Sequence, residues 1–258
     1  MIILKIPDRK LSEVARNVRE SFYSSGFYEV FPGSFIKSND MDGFRFIYRN
    51  DVFVLESDIT LRLMDRYFDA DSHIFYISQQ TDKNLVESLK TGGEIIGGDS
   101  MESTIRILKT AMKILDNLGL YGYSIDIGIS GIFDKYKSAG HWSQIKRALK
   151  DRDFQALNRL DITEKYEIIK IMETRTRNSG IEILDRILKA VEDSRLIIDL
   201  GTVRQPDYYN GPVFEIYGDN GFLGGGGSYS IRGINACGFT MDLMAIYRMY
   251  AENLEVER

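Results

Sequence analysis

Apolar residues recur at helical spacing near the start of the chain: Leu11, Val14, Val18 and Phe22 fall on one face, and Gly26 follows as a stop. The pattern predicts an amphipathic helix. Phe44, Phe46 and Tyr48 then alternate with Arg45, Ile47 and Arg49, and Asn50-Asp51 turns the chain into Val52 to Leu55, which predicts a β-hairpin. Ile59 to Phe68 reads as a short helix, with Ser57 or Asp58 placed to accept from its first free amides. His73 to Ser78 and a segment ending at Glu94-Ile95-Ile96 read as strands. Gly97-Gly98 breaks the pattern. Asp99 followed by Glu102 forms a capping-box pattern ahead of a helix carrying Ile105, Leu108, Met112 and Leu115. Tyr123 to Ile129 returns to strand alternation, with Ser124, Asp126 and Gly128 opposite Ile125, Ile127 and Ile129.

From 136 to 195 the alternation gives way to helical patterns, clearest in Ile181, Leu184, Ile187, Leu188 and Val191. This segment is expected to be a helical insert, flanked by one core formed from 1–135 and 196–258. Strand-like Leu196 to Leu200, Val213 to Tyr217, a glycine cluster and a last helix from about Phe239 to Tyr250 complete the chain. Hairpin patterns outnumber strand-helix-strand units, so the expected class is α+β with a mainly antiparallel sheet flanked by helices.

Length and charge narrow the function. A chain of 258 residues at 43% hydrophobic content can bury a substantial core, and a net charge of -5 offers phosphate backbones no general attraction. Nucleic acid is therefore not the expected partner. The insert carries 13 Lys and Arg against 10 Asp and Glu, a mixed balance ordinary for solvated helices. Cys237 is the single cysteine, which fits a reducing compartment, and no apolar run is long enough for a signal or a membrane span. A cytoplasmic location is expected. The two histidines, His73 and His141, have no metal-ligand spacing around them, so no metal is expected. The run Gly224 to Gly227 matches neither phosphate-loop fingerprint, and taken singly reads as a turn or a close backbone contact.

Four segments in order carry a more specific signal. Val203 to Tyr217, V-R-Q-P-D-Y-Y-N-G-P-V-F-E-I-Y, resembles the histidine-specific segment of histidyl-tRNA synthetases, R-G-L-D-Y-Y-T-G followed by V-F-E-x-Y. Gly225-Gly226-Gly227-Ser228-Tyr229-Ser230 resembles that family's G-G-G-R-Y-D turn, with the arginine and aspartate replaced. Leu55 to Thr60 resembles L-R-P-E/D-x-T, and Gly92 to Gly97 resembles G-x-E-I-I-G. The resemblance covers most of the chain outside the insert. It implies a class II aminoacyl-tRNA synthetase-like catalytic core in which these segments line an amino-acid pocket.

Carried over residue by residue, Asp58, Thr60, Glu94, Tyr208 and Tyr209 fall where that family contacts histidine, Arg204 matches its histidine-segment arginine, and Gly225, Gly226 and Gly227 form a pocket turn. Lys90 stands where the family carries a pocket glutamine. The residue types suit the ligand. Carboxylates and phenols can hold an ammonium and an imidazole, and a guanidinium fork fits a carboxylate. Taken singly, Asp58 would be a helix cap, Glu94 a solvated strand carboxylate, and Tyr208 and Tyr209 strand aromatics; their joint match to one pocket favours the binding reading.

The same alignment puts Tyr76 and Ala245 where the family has its two nucleotide-contacting arginines. Losing one such donor to a developing charge costs about 10²–10³ in rate, so no catalytic residue is assigned. A synthetase-like core lacking these arginines is similar to the regulatory-subunit family of ATP phosphoribosyltransferase. That resemblance implies a non-catalytic subunit that activates the short-form catalytic subunit and mediates feedback inhibition, with L-histidine as regulatory ligand and no cofactor. The implied assembly is a homodimer within a hetero-oligomer, and no membrane is involved. Two alternatives stay open, an amino-acid-activating paralogue and a tRNA-linked one.

Overall fold

A computed structural model of the chain describes residues 9–37, 44–55, 58–67, 72–82, 86–138, 141–202 and 208–256. In chain order the elements are α1 (Arg9–Tyr23), β1 (Tyr28–Glu29), β2 (Phe35–Lys37), β3 (Phe44–Tyr48), β4 (Asp51–Leu55), α2 (Ile59–Tyr67), β5 (Ser72–Thr81), β6 (Glu87–Ile96) and α3 (Ser100–Asn117). They continue as β7 (Tyr123–Ile129), α4 (Trp142–Asp151), α5 (Phe154–Arg159), α6 (Lys165–Glu173), β8 (Arg175–Thr176), α7 (Glu182–Val191), β9 (Leu196–Asp199), β10 (Tyr209–Gly218), β11 (Gly221–Ile231), β12 (Ile234–Asp242) and α8 (Leu243–Val256). Two compact units share them. The first holds Met1–Gly97, Thr110–Tyr121 and Thr240–Arg258, and the second holds Gly98–Lys109 and Gly122–Phe239.

In the first unit β5 pairs antiparallel with β6 and parallel with β1. Val14, Val18 and Phe22 of α1 are fully buried. Phe22 stacks on Phe75 with ring centroids 4.5 Å apart, and a Cβ on Gly93 would stand 2.6 Å from the Phe22 ring. Because Phe75 and Gly93 are directly paired, α1 covers that face of the ribbon and leaves the opposite face to Ile74, Tyr76 and Ser78 with their partners Glu94, Gly92 and Lys90. A separate three-stranded sheet, β2-β4-β3, includes the expected hairpin. Its turn residues Arg49 and Asn50 have φ of 49° and 67°, the left-handed pair that matches strand twist.

In the second unit the strand order is β12-β11-β10-β7-β9-β8. β7 lies between antiparallel β10 and parallel β9. That central place buries both of its faces, so Asp126, on the side expected to be the polar one, is only 6% exposed. The helical segment encloses a core of its own from Phe133, Tyr136, Ile145, Leu149, Leu157, Ile168 and Met172. Asp99 caps α3 as its pattern predicts, with Oδ1 accepting from the amides of Met101 and Glu102 at 2.9 and 3.0 Å.

Two expectations are corrected. The last helix begins at Leu243, because Phe239 and Met241 are buried strand residues and Asp242 Oδ1 accepts from the Ala245 amide at 2.9 Å, stopping β12 and starting α8. Gly225, Gly226 and Gly227 do not form a turn. They lie inside β11, paired with Glu215, Phe214 and Val213 of β10.

Candidate functional site

In the first unit the side of the β5–β6 ribbon opposite α1 gathers polar groups from distant parts of the chain. Asp58 is the cap of α2: its Oδ1 accepts from the amides of Thr60 at 2.8 Å and Leu61 at 3.4 Å. That cap aims Thr60 at the ribbon. Its Oγ1 donates to Glu94 Oε1 at 3.0 Å, and Glu94 is 1% exposed. Glu94 is therefore a buried carboxylate rather than a solvated strand residue. Two residues further along α2, Arg62 is 2% exposed and its Nη2 donates to Gln79 O at 3.1 Å and Ser78 Oγ at 3.4 Å.

Tyr76 is fully buried on the same face, and its hydroxyl lies 2.6 Å from Thr240 Oγ1 on β12, where either oxygen can donate. Burial, reinforced by the negative charges of Glu94 and Asp58, holds the Tyr76 phenol well above the ordinary tyrosine range, so it stays neutral. Lys90 turns to β12 as well, donating from Nζ to Asp242 Oδ2 at 2.8 Å. The Asp242 carboxyl is held below the usual carboxylate range: burial raises it, but the Lys90 hydrogen bond and the amides at the start of α8 outweigh that effect. The first unit thus brings Asp58, Thr60, Glu94 and Lys90 onto one polar face, together with Tyr76, Arg62, Thr240 and Asp242. The last four were not marked as ligand candidates, although Asp242 three residues before Ala245 is a recognisable cap pattern.

In the second unit Tyr208 precedes β10 and Tyr209 opens it; both are partly buried. They pack with Tyr229 of β11, which is 2% exposed, at centroid distances of 5.1 Å between Tyr208 and Tyr209 and 5.4 Å between Tyr208 and Tyr229. The glycines beside them serve close strand packing. A Cβ on Gly226 would stand 1.9 Å from Gly238 O, and Gly227 has φ +156° with its would-be Cβ 2.5 Å from Pro212 O. Arg204 lies outside the described residues.

A further polar cluster in the second unit had no counterpart among the sequence candidates. Arg175 on β8 holds Asp126 through Nη2 at 2.7 Å and approaches Asp199 at 3.3 Å, while Arg152 at the end of α4 donates to Asp199 Oδ1 at 2.6 Å. Asp199 is fully buried and also accepts from the Gly201 amide at 2.8 Å. Burial is the main cause of the raised Asp126 carboxyl, with Arg175 acting against it. This cluster fastens the helical segment to β7 and β9. Among the described residues no group of three or more His, Cys, Asp or Glu is placed to hold a metal, and no helix is long and apolar enough to cross a membrane.

Comparison with solved structures places this architecture. A chain from Bacillus halodurans C described as an ATP phosphoribosyltransferase regulatory subunit/histidyl-tRNA synthetase superposes with TM-score 0.78 at 16% identity, covering 97% of this chain and 84% of that one. A chain of the ATP phosphoribosyl transferase (HisG:HisZ) complex from Thermotoga maritima gives 0.74 at 19% identity, covering 92% and 98%. The fold is that of the class II aminoacyl-tRNA synthetase catalytic core, a mostly antiparallel sheet flanked by helices. The histidyl-tRNA synthetase family model matches residues 63–179 and 169–246, and the chain belongs to that family. Similar sequences include an ATP phosphoribosyltransferase regulatory subunit of Aquifex aeolicus, 26% identical over 72% of this chain and 53% of its own length. A histidine–tRNA ligase of Picrophilus torridus is 30% identical over 68% of this chain and 49% of its own. The chain spans about half the length of these curated relatives.

Proposed function

We propose that the chain is a non-catalytic regulatory subunit of ATP phosphoribosyltransferase. It binds L-histidine, joins the short-form catalytic subunit in a cytoplasmic hetero-oligomer built on its own homodimer, activates that subunit and conveys inhibition by histidine. The observation that carries the reading is the pairing of a buried acid with a closed position next to it. Glu94, oriented by Thr60, is suited to an ammonium ligand. Tyr76, where a synthetase of this family would present an arginine to nucleotide, is instead neutral, buried and bonded to Thr240. The second position, Ala245, is an apolar residue in the first turn of α8. Transfer chemistry on a triphosphate needs fixed positive charge there, and these residues supply none. The relatives named as regulatory subunits support the same reading.

Histidine can inhibit only by binding unequally to the active and inhibited arrangements of the complex. The test is calorimetric titration of the purified chain with histidine, alone and mixed with the short-form catalytic subunit from the same source, with turnover followed in parallel. The expected result is a complex with raised turnover that histidine suppresses. No complex and unchanged turnover would overturn the proposal. Adenylate formed from histidine and ATP by the chain alone would favour the amino-acid-activating alternative.

A further inference from the structure

The three-stranded sheet of the first unit has one side turned inward and one layer of aromatic rings turned to solvent. Its register puts Phe35, Leu55 and Phe44 in one row and Phe53 with Phe46 in the next, and Tyr48 lies two residues beyond Phe46 on the same side of β3. On the other side Ile36 and Val54 are buried. On the aromatic side Phe35 is 47% exposed, Phe44 55% and Tyr48 56%, while Phe46, Phe53 and Leu55 are partly exposed. The rings form one connected layer. Their centroids lie 5.1 Å apart for Phe35 and Phe46, 5.5 Å for Phe46 and Phe53 and 6.5 Å for Tyr48 and Phe53. A contiguous layer of this kind marks an interaction surface, whereas apolar residues scattered singly do not.

Area, charge and shape select the occupant. Taking about 200 Å² for each ring side chain, Phe35, Phe44 and Tyr48 leave roughly 300 Å² open, and the partly exposed residues raise this to roughly 400 Å². Apolar atoms make up about 65% of a homodimer interface, so the layer fits a contact of roughly 600 Å² per copy, about 1,200 Å² in all, where stable interfaces begin. The charged residues on this side, Lys37 and Asp51, pair with each other at 2.8 Å. A second copy of the face therefore meets no like-charge repulsion, and a strongly charged partner finds little to read. Two copies of one sheet also share one twist, which lets them stack face to face about 10 Å apart with their rings interdigitated. We infer that this aromatic face is the contact between two copies of the chain, related by a two-fold axis. The inference rests on the homodimer of the function proposed above and names the surface that forms it.

The test is sedimentation equilibrium of the full chain, with thermal unfolding in parallel, for wild type, Phe44→Ser, Tyr48→Ser and Ile47→Ser. Ile47 is 76% exposed on the opposite side of the same strand and serves as the control. Wild type is expected to dimerise. Phe44→Ser and Tyr48→Ser should each weaken the dimer at least about tenfold, because a buried aromatic contact is lost twice in a two-fold dimer. Ile47→Ser should leave it unchanged. A wild-type dimer that Phe44→Ser and Tyr48→Ser leave intact overturns this inference alone; if those variants then fail to join the catalytic subunit, the face belongs to that partner instead. Equal weakening by Ile47→Ser also overturns it. A wild-type chain that stays monomeric at every concentration overturns the homodimer, and this inference with it. If a variant unfolds before its association can be read, hydrogen exchange of wild type decides: the amides of the edge strands β2 and β3 should exchange faster on dilution to monomer, and equal rates overturn the inference.

Discussion

Thr60 Oγ1 donates to Glu94 Oε1 across 34 residues of sequence, and both groups are buried. The bond links the start of α2 to β6 and fixes which way a buried negative charge points. A hydrogen bond to a charged group is worth about 1.5–3 kcal/mol. Thr60→Val, which keeps the shape and removes the donor, is expected to lower unfolding free energy by about that amount in urea titrations. Glu94→Gln keeps most of the packing and should abolish the pull on a ligand ammonium, so histidine heats should disappear while the fold persists.

Asp58 caps α2 through the amides of Thr60 and Leu61. Replacing it separates capping from binding. Asp58→Ala should cost about 0.5–2 kcal/mol of stability through the lost cap, and Asp58→Asn only a few tenths. If the charge of Asp58 also serves the ligand, Asp58→Asn will weaken histidine while its melting curve overlays that of the wild type. Unchanged affinity would leave Asp58 as a cap alone.

Gly226 has no room for a methyl group. A Cβ there would lie 1.9 Å from Gly238 O and 2.7 Å from the Phe239 Cα, and backbone atoms cannot swing aside as a side chain can. Gly226→Ala is expected to destabilise by at least about 1–3 kcal/mol, the usual cost of overpacking. That lowers the thermal midpoint by several degrees for a chain of this size, at roughly 2–4 °C per kcal/mol. A midpoint within a degree of wild type would contradict the packing described for β11.

Asp126 reverses the usual pH dependence of a paired aspartate. Burial raises its carboxyl more than Arg175 lowers it. The folded state therefore holds a proton that the unfolded chain releases near the ordinary value of 3.8. Between that value and the raised folded one the folded state binds more protons, so this group's contribution to stability declines as pH rises. Subtracting the stability profile of Asp126→Asn from that of wild type should give a difference that falls with rising pH just above 3.8 and levels off beyond it. A difference that rises across the same window would contradict the sign.

Local chemistry was enough to make much of this chain legible from its sequence. The Asp99 cap of α3, the hairpin turn, expected at Asn50-Asp51 and found one residue earlier at Arg49-Asn50, and the apolar stripe of α1 each depend on residues a few positions apart, and backbone sterics with hydrogen-bond satisfaction decide them. The α+β class followed from their order, and the family resemblance picked out Asp58, Thr60, Lys90 and Glu94. What those side chains do was decided elsewhere. Lys90 meets Asp242 across 152 residues and Tyr76 meets Thr240 across 164, contacts that exist only once β12 has been laid beside the ribbon. The run Gly225 to Gly227 looked like a turn because glycine permits one, yet it is a strand, since close strand packing makes the same demand for a missing side chain. Asp126, on the side of β7 expected to be polar, became buried because the strand is flanked on both edges and covered on both faces. The sequence by itself determined which residues can turn, cap and line an amphipathic face. Only the tertiary structure decided which charges are paired and which acid is buried, because pairing and desolvation depend on neighbours that the chain order does not bring together.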